Sequence, residues 1–62
     1  MPNRYNIFEC LPDGALLWRE GCARLDEVLL KLAKLIEQSK NEFFAKDSET
    51  SEIVARVNHA GI

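Results

Sequence analysis

The sequence predicts a small α+β domain of β-β-α-β-β order. Two β-hairpins flank one amphipathic helix, giving a four-stranded, largely antiparallel sheet with the helix on one face. Three observations predict it. A stretch rich in aromatic and β-branched residues, 4–10, leads into a Pro-Asp-Gly turn near the N-terminus, and a return stretch, Ala15 to Glu20, follows it. A run of leucines at helical spacing follows, and two more strand-like stretches close the chain around a polar loop.

Residues 4–10, Arg4 to Cys10, form the first expected strand, with Tyr5, Ile7 and Phe8 supplying strand-favouring side chains. Pro12-Asp13-Gly14 is the turn: proline presets φ, aspartate suits the next position and glycine accepts the left-handed one. Ala15 to Glu20 is the return strand. A three-residue loop here puts Phe8 opposite Trp18, whereas a four-residue loop puts Ile7 there, and a one-residue slip exchanges the faces.

Residues 25–39 form the expected helix. Leu25, Val28, Leu29, Leu32, Leu35 and Ile36 fall within one stripe at about 100° per residue. Asp26 and Glu27 suit the first turn and Lys40 suits the end of the helix. Glu27 and Lys31 have i,i+4 spacing, Arg24 is a poor N-cap, and Asn41 is a candidate left-handed C-cap. Leu30 lies off the stripe, roughly 140° from Leu25, among polar positions. Glu42 to Lys46 and Glu52 to Val57 are the last two strands. The glycine-free loop between them is expected to be longer than a two-residue turn. The domain spans residues 1–62 with an ordered core of about 4–57, and the small, polar tail 58–62 is expected to fray.

One helix covers only one face of a four-stranded sheet, yet every strand carries apolar residues to both faces. Ile7 and Phe8 are neighbours in sequence and point opposite ways, as do Leu16 and Leu17, Phe43 and Phe44, and Ile53 and Val54. A folded monomer of 62 residues buries only ~60% of its unfolded surface, so burial and chain entropy nearly cancel. Burial of the second face against another copy answers both points. The sequence therefore predicts a homodimer, with Phe8, Leu17, Trp18, Leu30, Phe44 and Val54 as candidate interface residues.

Composition excludes several functions. The net charge is -2, without the basic excess of a nucleic-acid binder. No apolar run approaches the ~20 residues of a membrane span. The start, Met1-Pro2-Asn3-Arg4, is no signal peptide, so the cytoplasm is the expected compartment. There Cys10 and Cys22 stay reduced and behave as small apolar residues.

Candidate chemistry is sparse. One histidine, His59, and no Cys-x-x-Cys leave a zinc site without ligands. Asp47, Glu49 and Glu52 cluster at the second loop, where solubility and turn formation explain them, and their spacing does not fit a calcium loop. No glycine-rich phosphate loop occurs. Arg19, Lys46 and Arg56 on one face with Phe8 or Phe44 would make a stacking platform for single-stranded nucleic acid. Cross-strand pairing of those bases with Glu9, Glu42 and Glu52 accounts for them more simply. No catalytic residue, metal or cofactor is expected. An enzyme would need a pocket between subunits holding at least two of Cys22, His59, Asp47 and Glu52.

Tyr5-Asn6-Ile7-Phe8-Glu9, Asp13-Gly14, Trp18, Leu25-Asp26-Glu27-Val28 and Asn41-Glu42-Phe43-Phe44 together resemble a group of small uncharacterised bacterial proteins, over residues 4–57. Those motifs mark structure and carry no active site. Gly21-Cys22 leading into the acidic-start helix is similar, more weakly, to HicB-type antitoxins, which usually place three strands before the helix where this chain has two. That likeness implies a protein-binding module whose toxin-like partner meets the sheet face opposite the helix. The first expectation remains a non-catalytic interaction or structural protein acting as a homodimer.

Overall fold

A computed structural model describes residues 3–57; the expected tail 58–62, with His59, lies outside them. The element order is β1 (Tyr5–Cys10), β2 (Leu16–Cys22), α1 (Leu25–Gln38), β3 (Glu42–Asp47) and β4 (Ile53–Val57), the expected β-β-α-β-β α+β fold. All neighbours are antiparallel and the sheet order is β2-β1-β3-β4. Since β2 and β3 flank β1, α1 carries the chain across β1 from one side of the sheet to the other.

The first turn realises the three-residue alternative. Leu11 N–H donates to Ala15 O at 2.8 Å, Gly14 N–H to Leu11 O at 2.9 Å, and Ala15 N–H to Asp13 Oδ1 at 3.0 Å. Phe8 therefore lies opposite Trp18. Gly14 has φ +93°, where a Cβ is strained although no neighbour would obstruct it. Gly14→Ala is expected to cost about 1 kcal/mol, read from urea denaturation midpoints; an unchanged midpoint would contradict this. The second loop has no glycine, and Ser51 takes the left-handed position instead, at φ 64°. Its N–H donates to Asp47 O at 2.7 Å.

The helix ends at Gln38 and differs from expectation at that end. Ser39 is the C-cap and is extended (φ -144°), so neither Lys40 nor a left-handed Asn41 belongs to the helix terminus. The start is as expected, with Arg24 in an extended conformation and making no side-chain cap. Lys31 pairs with Glu20 on β2 at 2.7 Å rather than with Glu27.

Register assigns the faces. Tyr5, Ile7 and Glu9 of β1 share the helix side with Phe43, Ala45 and Asp47 of β3. Ile7, Phe43, Ala45, Val28, Leu32, Leu35 and Cys22 make the core, with Tyr5, Ala55 and Val57 packed against it. Only half of the leucine stripe is inside: Val28, Leu32 and Leu35 are buried and Ile36 is half-buried, while Leu25 and Leu29 are exposed.

Two carboxylates are buried on the helix side and both are satisfied. Glu9 accepts from Arg19 Nη1 (2.8 Å), Ser39 Oγ (2.7 Å) and Asn41 Nδ2 (2.7 Å). Asp47 accepts from Arg4 Nε and Nη2 (3.2 and 3.1 Å) and from Glu49 N–H (2.8 Å). Asn41, expected as a cap, instead clamps the buried end of β1.

Candidate functional site

The face opposite the helix carries one cross-strand row. Trp18 of β2, Phe8 of β1, Phe44 of β3 and Arg56 of β4 lie side by side in register. Phe8 and Phe44 stack with centroids 5.4 Å apart, an arrangement worth about 0.5–1.5 kcal/mol beyond the buried area. Trp18 Nε1–H donates to Asn6 Oδ1 at 3.1 Å, fixing an indole that is 53% exposed. Phe44 is only 9% exposed, so its ring supports Phe8 more than it meets solvent. Leu16 lies beside Cys10 on this face and is exposed, as is Ile53 beside Lys46.

The six candidate interface residues do not form one patch. Phe8, Trp18 and Phe44 are contiguous. Leu17 pairs with Glu9 and so lies on the helix side of β2, 45% exposed. Leu30 is 69% exposed on the helix. It lines a shallow depression of about 250 Å³ with Glu20, Glu27, Lys31 and Lys34. Val54 sits where the register of β4 shifts against β3, beside a second depression of about 330 Å³ along Ile53, Val54, Ala55 and Arg56.

A bulge explains the largest departure from the sequence reading. Ile7 pairs with Glu20 but Phe8 pairs with Trp18, so Arg19 is the extra residue of β2. Its guanidinium turns to the helix side and meets Glu9. Arg19 thus leaves the platform expected with Lys46 and Arg56, and Arg56 Nε is paired with Glu42 Oε2 at 3.3 Å. Two of the expected cross-strand ion pairs, Arg19–Glu9 and Arg56–Glu42, are present.

Titratable groups are tuned by these contacts. Hydrogen bonds from Ser39 and Asn41, with help from Arg19, hold the Glu9 carboxyl below the usual glutamate range against the opposing effect of burial. Arg4 and the Glu49 amide do the same for Asp47. Burial raises both thiols, so each stays protonated at neutral pH and is a weak nucleophile. Cys22 is in the core and Cys10 is on the opposite face. Asp47 is tied to Arg4, and neither it nor Cys22 lines either depression. Among the described residues no three His, Cys, Asp or Glu side chains converge to hold a metal ion, and no helix is long and apolar enough to cross a membrane.

The class these observations define is an antiparallel α+β domain whose ionisable groups are mostly committed to structure and whose apolar groups spill onto its surface. No known protein family, curated protein or solved structure matches the chain.

Proposed function

We propose that the chain is a small, non-catalytic interaction protein of the cytoplasm that acts as a homodimer. The observation that carries this reading is the amount of large apolar side chain left outside the fold. Trp18, Leu16, Leu29, Leu30 and Ile53 are each about half exposed or more, whereas among the described residues Ile7 and Phe43 are the only large strand residues fully enclosed. Covering part of that surface with a second copy would add apolar burial to a fold too small to bury much by itself. Sedimentation velocity from about 1 to about 500 μM tests it, a range that brackets weak to moderate self-association. A species of twice the 7.1 kDa chain mass is expected, and a single 7.1 kDa species throughout would overturn the reading.

A second reading is a protein-binding module that uses the sheet face opposite the helix. It is favoured by Trp18, held in place by Asn6 yet more than half exposed beside Phe8. Exposed, pre-positioned tryptophans are frequent anchors of protein interfaces.

A further inference from the structure

β2 pairs with β1 in two phases. From Cys10↔Leu16 to Phe8↔Trp18 it keeps step with the three-residue turn, and from Ile7↔Glu20 to Tyr5↔Cys22 it runs one residue out of that step. Each end has its own anchor. The turn is fixed by the Leu11–Ala15 and Gly14–Leu11 backbone bonds and by Asp13. The far end is fixed by Cys22 in the core, by Lys31 on Glu20, and by Asn3, whose side chain fills the room that a Cβ on Gly21 would need. Between the two anchors β2 must hold one extra residue.

The anchors leave two places for it. With Arg19 extra, Trp18 lies opposite Phe8 on the open face and Arg19 lies on the helix side. Moving the bulge one step toward the turn makes Trp18 the extra residue and sets Arg19 opposite Phe8. The pairings on either side, Ile7↔Glu20 and Glu9↔Leu17, and both anchors stay as they are. The move disturbs one ladder only, since among the described residues β2 is an edge strand beside β1. Two contacts belong to the observed arrangement alone. Arg19 Nη1 donates to Glu9 Oε1 at 2.8 Å, and Trp18 Nε1–H donates to Asn6 Oδ1 at 3.1 Å. Against them stands an indole left 53% exposed, which the other arrangement turns to the helix side. β4 also has a bulge, at Val54, but moving that one exchanges apolar residues only.

The geometry points to a conformational switch in β2: a one-residue migration of the bulge exchanges Trp18 and Arg19 between the two faces, with the Glu9–Arg19 and Asn6–Trp18 contacts as its latches. In one position the open face carries an indole beside Phe8. In the other it carries the row Arg19–Phe8–Phe44–Arg56, two stacked rings between two guanidinium groups. The switch acquires a function through the binding-module reading, on which that part rests: a partner that prefers one form of the face shifts the balance by the difference in its two affinities.

The test uses the free chain, so its failure leaves the binding-module reading standing. Trp18 is the single tryptophan, and its fluorescence reports the position directly. Arg19→Thr removes the stronger latch and puts a strand-favouring residue where it can sit opposite Phe8. Its acrylamide quenching constant is expected to fall about twofold or more below wild type as the minor arrangement becomes the major one. Cross-strand NMR contacts of Phe8 should pass from Trp18 to residue 19. Deletion of Arg19 leaves β2 without an extra residue, so there Trp18 stays opposite Phe8 and is quenched as in wild type. An Arg19→Thr chain that keeps the Phe8–Trp18 contacts overturns the switch. So does one that unfolds by circular dichroism, because the second arrangement was then not available to it. A deletion variant whose indole also becomes protected overturns it as well, since the protection would not come from the bulge.

Discussion

Phe43→Ala is expected to remove about 3–5 kcal/mol of folding free energy, the range for truncating an enclosed phenylalanine. A domain of 62 residues has about 3–9 kcal/mol in total, so this one change takes most of it. Phe43 has no exposed surface and sits on the helix side of a central strand, between Glu9 on β1 and Val57 on β4. Little can move in to fill the space, because β1 and β4 are fixed by their backbone ladders and Val28, Leu32 and Leu35 are fixed on the helix. Phe44, one residue on, faces the other way. Its ring is nine-tenths buried and rests on Phe8, but no helix packs above it, so Phe44→Ala is expected to cost less, about 2–3 kcal/mol. Thermal unfolding at fixed protein concentration compares the two, since self-association would make the midpoint depend on concentration. Equal losses at 43 and 44 would mean that both faces are cores of comparable quality.

That pair also marks where sequence reasoning reached its limit. Strands, turn and helix were readable to within about two residues because their signals are local: periodicity, Pro-Asp-Gly, and a leucine stripe. The placement of two adjacent phenylalanines is not local. It depends on which alternation of β3 meets the helix, and that follows from the pairing of β3 with β1, thirty-odd positions away in the chain. Bulges add to the difficulty, since one extra residue at Arg19 sends a side chain to the face its neighbours avoid. The leucine stripe misled for a related reason. Angular spacing says which residues share a side of the helix, but not how wide a contact the sheet offers. Here three residues suffice to meet it, and Leu25 and Leu29 are left at the margin. The candidate interface was therefore partly readable. Trp18 with Phe8 followed from the turn, whereas the place of Arg19 on the helix side needed the bulge.

Glu9 could not be recognised as buried from sequence, because its partners come from two separate segments, Arg19 on β2 and Ser39 with Asn41 in the link after the helix. Its removal is expected to be the second large loss. Three donors converge on two carboxylate oxygens, two of them on Oε2. Glu9→Gln keeps the shape but replaces one oxygen by an NH₂ group, which then faces a donor whichever way the amide is turned. A loss of about 2–3 kcal/mol is expected, from the unpaired donors and the weakened charged hydrogen bonds. The acid response follows from the same contacts. The carboxyls of Glu9 and Asp47 both titrate lower in the fold than in the unfolded chain. Between the two values the unfolded chain takes up protons that the fold refuses, so stability falls as pH falls. The contribution is fully present above the ordinary carboxylate range, about pH 4, and is lost as pH drops below that range and through the lowered values. Glu9→Gln has one such carboxyl fewer, so its stability is expected to be lower at pH 7 and to decline less steeply with acid. Urea midpoints at several pH values give both quantities. A variant as stable as wild type at pH 7, or one with an undiminished acid slope, would show that the Glu9 cluster does not hold β1 to the end of the helix.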